Sequence, residues 1–465
     1  MLCRQGRLGG VAAWGGRLWT GQRPRRHGRY CLGAEEPERE PGRADRRRDS
    51  WNVALSTCVR LHSFAQSACR GRCPFPHSDE RRTIMEVLHE RCAGMDISKR
   101  DAKVCVRAPG ARPGTYGKRI TVHGAMQRDI AELRDHLLAQ QVTLVVLEAT
   151  GDYWKPFYYG LEDVLNVMLV NARHAKNLPG RKTDISDAQW LAELGAHGLV
   201  RGSFVPPWPI RQLRDLTRQR TLLTGQRSRE IQQLEKLIES TGIKYTSITT
   251  RSLGVSGRLF LEALVAGERK PTSLAELAKG RLRTKTEQLR AAFEGSFTTH
   301  HANLTRLHLD RIDLLNAHIQ TLTELIGALI DEHSLGWARD LLATIPGISE
   351  TGAENILAET GVDMTCFDTP AHLASWAGVC PGQHESAGKS RQVRARPGNA
   401  HLKGALGIAA MAAARTNGSF FQHRYKRLAA RRGPTRALVA IEHSLLIAIW
   451  HILTRGEPYR TSQAA

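Results

Sequence analysis

Between residues 94 and 198 short runs rich in β-branched residues alternate with stretches of helical periodicity, and this alternation restricts the fold more than any other feature. Gly94 to Ser98 opens a strand, and the alternating segment Ala102 to Arg107 reads as its hairpin arm. A third strand follows at Arg119 to His123. The apolar run Val142 to Leu147 is too short for a helix and ends on Glu148. Helical periodicity fills Ala125 to Gln140 and Tyr153 to Asp163, a further strand lies at Val167 to Asn171, and Asp184 to Gly198 reads as a helix. This order predicts an α/β layer around a mixed sheet.

Acidic residues mark these elements. Asp96 sits in Gly94-Met95-Asp96-Ile97-Ser98, Glu148 ends the apolar strand, and Asp184 and Asp187 lie three apart at the start of the last helix, on one expected face. Each alone has an ordinary reading. Asp96 suits a strand-end turn, and Asp184 an N-cap with Asp187 in the first turn. Together they aim hard oxygen ligands at one point, which suits Mg²⁺. Two such ions roughly 3.5–4 Å apart stabilise both the attacking and the leaving oxygen of a phosphodiester. Nearby, Lys176 and Lys182 supply cations that either hold a phosphate backbone over the site or balance the Asp pair.

Charge narrows the partner. The chain has 465 residues and a net charge of +22, enough length for two or three domains. Residues 1–84 hold 17 Arg, no Lys and 8 acids, a net of +9, which leaves +13 for residues 85–465. Residues 387–465 alone carry +12, since 14 Lys and Arg face only Glu442 and Glu457. Charge gathered at one end of the body points to nucleic acid rather than to general solubility. No basic amphipathic helix with exposed aromatics supports a membrane surface as the partner.

The first 84 residues differ from the rest. They hold five of the nine Cys and show no sustained periodicity. The profile fits translated G+C-rich DNA ahead of a start at Met85, or a disordered extension, with a transit peptide as the rival reading. Cys69 and Cys73 lack a second ligand pair, which argues against a zinc site, and the other four Cys read as reduced thiols of a cytoplasmic protein.

Pro206-Pro207-Trp208-Pro209 breaks the chain and marks a linker. Ile210 to Thr241 then reads as one long helix, and a second helical set spans Ser273 to Glu332. Within it Ile312, Leu315, Ile319, Leu322, Ile326 and Leu329 recur in steps of three and four, a seam equally suited to packing within the chain or between subunits. Thr344-Ile345-Pro346-Gly347-Ile348 before the helical segment Thr351 to Thr360 resembles a helix-hairpin-helix turn, in which backbone N–H groups hold a phosphate. Ser386 lies beside Ala387 and Gly388 and ahead of Lys389, Arg391, Arg394 and Arg396. Small neighbours permit close approach to a phosphodiester and cations stabilise a phosphorane, although a loop Ser is by composition more often a turn residue. Further on, Arg424, Arg427, Arg431 and Arg432 form a candidate phosphate track. Ala437 to Leu453 is nearly apolar enough for a membrane span, but Glu442, His443 and His451 favour a buried helix.

The order Asp96, Glu148, Asp184-x-x-Asp187, with Lys-Thr-Asp-Ile-Ser-Asp-Ala around the pair, resembles the DEDD transposases of bacterial insertion sequences. The stretch from Ile345-Pro346-Gly347 through His384-Glu385-Ser386-Ala387-Gly388-Lys389 and Gly398-Asn399 to Arg431-Arg432-Gly433 is similar to the C-terminal transposase domain of that family. The likeness covers about residues 90–460. It departs at Glu385, where some members carry a small hydroxyl residue, and after Lys389, where Ser390-Arg391-Gln392-Val393-Arg394 replaces a Gly-rich basic turn. The resemblance implies an RNase H-like N-terminal domain related to Holliday-junction resolvases and a C-terminal domain that supplies a serine nucleophile. It implies Mg²⁺ on Asp96, Glu148, Asp184 and Asp187, covalent attachment of DNA to Ser386, and guidance to donor and target DNA by a bridge RNA. The bridge RNA rests on the family alone.

The resulting expectation is an extension at 1–84, an RNase H-like catalytic domain at 85–205, a helical linker or coiled coil at 206–335, and a mostly α C-terminal transposase domain at 336–460. The enzyme is expected to act as a homo-oligomer on DNA in the cytoplasm, at the nucleoid, without a membrane. A metal-dependent junction resolvase that uses water, and a binding protein without activity, are the alternatives.

Overall fold

The computed structural model describes residues 87–149, 151–172, 175, 186–382, 385–386, 388–390, 395 and 397–460. Asp184, Lys176, Lys182, Arg391, Arg394, Arg396 and the residues up to 86 lie outside the described set.

The N-terminal part is a mixed sheet flanked by helices, an RNase H-like arrangement. Strand β1 (Cys92–Ile97) is central. It pairs antiparallel with β2 (Asp101–Pro109), which pairs antiparallel with β3 (Tyr116–Gly124). On its other side β1 pairs parallel with β4 (Leu144–Glu148), which pairs parallel with β5 (Val167–Val170). Helices α1 (Gln127–Ala139) and α2 (Trp154–Leu161) cover one face, and α3 (Asp187–Ala196) covers the other. The pleat sorts the strands between them. Ala93, Met95, Ile97, Val145 and Leu147 join Ile130, Leu133 and Phe157 in one core, while Cys92, Leu144 and Val146 pack with Trp190, Leu191 and Leu194 in another.

The helix bearing Asp187 begins later than its periodicity predicts. Ser186 is extended and caps it, accepting from Gln189 N at 3.3 Å while the Gln189 side chain accepts from Ser186 N. The expectation that Asp184 and Asp187 share a helix face falls on Asp184, which lies outside the described residues.

The middle region is built on two long helices, α4 (Trp208–Ser240) and α8 (Thr299–Glu332), with α5 (Val255–Val265), α6 (Pro271–Glu276) and α7 (Thr286–Ala292) between them. The pair is antiparallel. Ile210 and Leu213 of α4 share a cluster with Ile326, Leu329 and Ile330, and at the far end Leu234 and Ile238 share one with Ala302, Leu309 and Ile312. The leucine–isoleucine seam is thus used inside one chain. A buried polar step interrupts it, where Glu230 meets His308 Nδ1 at 2.7 Å and Arg311 at 3.3 Å.

The C-terminal region is mostly helical. It comprises α9 (Gly336–Ala343), α10 (Glu350–Thr360), α11 (Pro370–Ala377), α12 (Ala400–Ala413), α13 (Phe420–Arg432) and α14 (Pro434–Arg455). Helices α9 and α10 with their Pro346-Gly347 turn resemble a helix-hairpin-helix element. Gly347 (φ 95°) is needed for close packing as well as for the turn, because a Cβ there would sit 2.5 Å from Ala409 O and Ala413 N of α12. Glu350 places a carboxylate in the first turn of α10, paired with Arg339 at 3.1 Å, where the sequence reading put a phosphate. Helix α14 is long and apolar enough to cross a membrane, but Ile441, Leu445, Leu446, Ile449 and Ile452 lie in the C-terminal core.

The chain leaves the sheet through a short tie. Gly202 bridges Val170 and Ser203 N donates to Leu169 O at 2.6 Å, then Phe204 packs on Phe367 and Trp376 with ring centroids 5.3 and 5.8 Å apart. Arg211 of α4 pairs with Glu162 at 2.6 Å and lies 4.1 Å over the Tyr159 ring.

Candidate active site

Strand parity brings three of the four predicted carboxylates to one end of one face. Because Cys92 and Gly94 face α3, Asp96 does too; because Leu144 and Val146 face it, so does Glu148. The parallel ladder pairs Met95 with Leu147, so Asp96 and Glu148 follow it side by side at the C-terminal ends of adjacent strands. Helix α3 runs antiparallel to them. A Cβ on Gly94 would lie 2.1 Å from Ala188 O and 2.3 Å from Ala192 N, whereas one on Gly195 would meet Cys92 and Val146. Asp187, the first residue of α3, therefore sits over the Asp96 end. Glu148 is buried, and Asp96 and Asp187 are half-buried.

The donor set consists of carboxylate oxygens, which fit a hard divalent cation. Among the described residues no three acidic, His or Cys side chains are close enough together to hold a metal ion, and the fourth carboxylate, Asp184, lies outside that set. Register adds a cation that sequence reasoning missed. Lys103 of β2 pairs with Asp96 and shares the face of Cys105 and Arg107, which pack against α3, and it is exposed. The hairpin joining the first two strands, closed by Ser98 Oγ donating to Asp101 at 2.7 Å, would have given that register.

In the C-terminal region Ser386 lies in a two-stranded hairpin, β6 (Glu385–Ser386) against β7 (Lys389–Ser390). The register sets Ser386 opposite Lys389 across a two-residue turn whose Gly388 has φ 74°. Helix α13 carries the distal cations. Lys426, Arg427, Arg431 and Arg432 are exposed, and among the described residues no carboxylate pairs with them. Arg424 is half-buried, its guanidinium 5.9 Å from the Phe420 ring centre.

Sequence reasoning also missed a buried ionic cluster beside the serine segment. Glu359, at the end of α10, is 2 % exposed and accepts from Arg218 Nε and Nη2 at 2.7 and 2.8 Å and from Asn399 Nδ2 at 2.6 Å. Burial pushes its carboxyl up, but the Arg218 bridge, the Asn399 bond and the charges of Arg214 and Arg218 outweigh it and hold it below the ordinary glutamate range. Arg214 donates to Ala358 O and Glu359 O at 2.9 and 2.8 Å, satisfying carbonyls in the last turn of α10.

The sheet thus carries acidic residues at one end of one face, and a basic helical region follows it. Two family models match. An IS110 DEDD model described as a transposase covers residues 93–243, and one described as "Transposase IS116/IS110/IS902 family" covers residues 339–426. The chain is 28 % identical over 331 residues to a putative transposase of Sinorhizobium fredii, covering 69 % of this chain and 75 % of that protein. It is 26 % identical over 389 residues to the transposase for insertion sequence element IS1111A of Coxiella burnetii, covering 82 % and 93 %. A shorter match, 30 % identical over 129 residues, covers 27 % of this chain and 39 % of a pilin gene-inverting protein of Moraxella lacunata. The chain belongs to the IS110/IS902 family of bacterial insertion-sequence transposases. That membership supports a DNA strand-transfer activity, and the first model spans all four predicted carboxylates while the second spans Ser386.

Proposed function

We propose that this transposase cuts and rejoins DNA through Ser386, assisted by a Mg²⁺ site on Asp96, Glu148, Asp184 and Asp187, and that an RNA guides it to donor and target. The observation that supports the reading is that Asp96 and Glu148 lie side by side at one end of one sheet face, with Asp187 at the start of the helix that covers that end. A bound divalent ion would neutralise charge on the scissile phosphate and lower the barrier to serine deprotonation.

The Ser386 Oγ attacks the phosphorus as its proton leaves to solvent. A phosphoserine ester forms, the P–O3′ bond breaks, and the 3′-oxygen takes up a proton to leave as a hydroxyl. That hydroxyl then attacks the phosphoserine of a partner strand, restoring Ser386 and a phosphodiester. Lys389, opposite Ser386 in the hairpin, is a cation suited to the charge that develops on the phosphate. Arg391, Arg394 and Arg396 follow closely enough in sequence to serve the same phosphate, with Lys176 and Lys182 holding backbone over the carboxylates. A relative named for inverting a pilin gene supports strand exchange rather than simple hydrolysis. A homo-oligomer in the bacterial cytoplasm, sharing one subunit's carboxylates with another's serine, is part of the same reading. Leu307 and Leu314, one heptad apart and 60 % and 56 % exposed on α8, offer a surface for self-association.

Trapping on a suicide DNA substrate tests the proposal. A covalent adduct that disappears in Ser386→Ala is expected. Cleavage with no adduct would identify water as the nucleophile and sink the serine mechanism.

A further inference from the structure

The segment carrying Ser386 leaves and re-enters the fold at one place. Helix α11 ends on Gly378 in the left-handed region (φ 76°), and twenty residues later a Cβ on Gly398 would lie 2.2 Å from Ala377 O and 2.5 Å from Gly378 N. Only a glycine lets the two backbones touch there. The next residue, Asn399, has two separate roles. Its Oδ1 caps α12, accepting from His401 N and Leu402 N at 3.0 and 3.1 Å, and its Nδ2 donates to Glu359. Glu359 is in turn gripped by Arg218 of α4 in a two-pronged bridge, while Arg214 of α4 fixes the carbonyls on either side.

Buried ion clusters are weak stabilisers, because apolar residues of similar volume often serve stability as well or better. What this cluster offers instead is a link, since Arg218 of α4 and Asn399 both donate to the same Glu359 carboxylate. We infer that Glu359 and Asn399 are positioning residues, which transmit the placement of α4 to the exit of the Ser386 segment and so fix where the serine is presented. The inference rests on the reading of Ser386 as nucleophile. A misplacement of about 1 Å in a reacting group costs on the order of a hundredfold in rate, so loss of the tie should register in the chemical step.

Asn399→Ser in the full chain separates the two roles, because a serine hydroxyl still caps α12 but has no amide to offer Glu359. Three measurements decide the matter: Ser386-dependent adduct formation in single turnover, duplex DNA affinity together with the melting temperature, and the rate of trypsin cleavage between Lys389 and Arg396. The expected result is an adduct rate at least roughly tenfold lower, affinity within about twofold of the unmodified protein, and faster trypsin cleavage. An unchanged adduct rate and unchanged cleavage in Asn399→Ser would overturn the inference, as would loss of rate, affinity and melting temperature together, the mark of a merely structural role. If the unmodified protein gives no Ser386-dependent adduct, the nucleophile reading fails by itself, and the trypsin rate still decides whether the tie holds the segment.

Discussion

At the scale of single residues Asp187 separates an ordinary role from a chemical one. As the first residue of α3 it interacts favourably with the helix dipole, a contribution of about 0.3–1 kcal/mol. As a metal ligand it would act on the reaction instead, where a hard cation contributes several kcal/mol to charge stabilisation, roughly a hundredfold or more in rate. Asp187→Asn keeps the size and removes the charge. Its unfolding free energy should change by about 1 kcal/mol or less, while strand exchange in single turnover falls by about two orders of magnitude. Full exchange activity in Asp187→Asn would remove the residue from the site. The face of Asp96 and of Glu148 was legible because pleat parity fixes it, Glu148 being the last residue of β4 and Asp96 the last but one of β1. Glu359 was not, since its partners Arg218 and Asn399 lie 141 and 40 positions away and no local pattern joins them. Lys103 was recoverable in principle, seven residues from Asp96 across a short hairpin, but only once the turn residues Ser98 and Asp101 are assigned.

At the scale of elements the position of the carboxylates depends on how closely α3 approaches β1. The would-be neighbours of a Gly94 Cβ are backbone atoms, Ala188 O at 2.1 Å and Ala192 N at 2.3 Å, and these cannot rotate away as a side chain would. Gly94→Ala must lift the helix and carry Asp187 off the strand ends. Overpacking of this kind costs typically 1–3 kcal/mol, so denaturant unfolding should show a loss in that range, accompanied by a larger loss of exchange activity than stability alone explains. Unchanged stability would mean that the helix yields freely there and does not define the site. The strands and long helices could be read from periodicity because burial imposes it. The start of α3 could not: Ser186 with Gln189 forms the capping box, and two acidic residues just upstream and downstream of Ser186 make an equally good start by composition. The coiled-coil seam on α8 was visible, but its partner was not, because apolar spacing is the same whether the facing helix is α4 of this chain or a helix of another.

At the scale of the whole molecule the excess charge and the predicted chemistry overlap without coinciding. The body's positive charge is concentrated after residue 387, yet the two halves of that basic stretch have different expected partners. On α13 Arg427 and Arg431 lie four apart, both exposed, on a face where the described residues offer them no carboxylate. Such a stripe grips phosphate backbone irrespective of sequence. Replacing Arg427 or Arg431 with Ala should weaken binding equally for target and unrelated DNA and lower the slope of log affinity against log salt by about 0.9 for duplex, the release of one counterion. Arg391, Arg394 and Arg396 follow Ser386 within ten residues, and neutralising one of them should instead depress adduct formation more than affinity, because charge grows on the phosphate as the serine attacks. Binding and single-turnover rates measured across one salt series read both sets at once. If all five replacements give the same uniform loss of affinity with the chemical rate intact, the reaction does not take place beside Ser386, and the C-terminal charge serves only to hold nucleic acid.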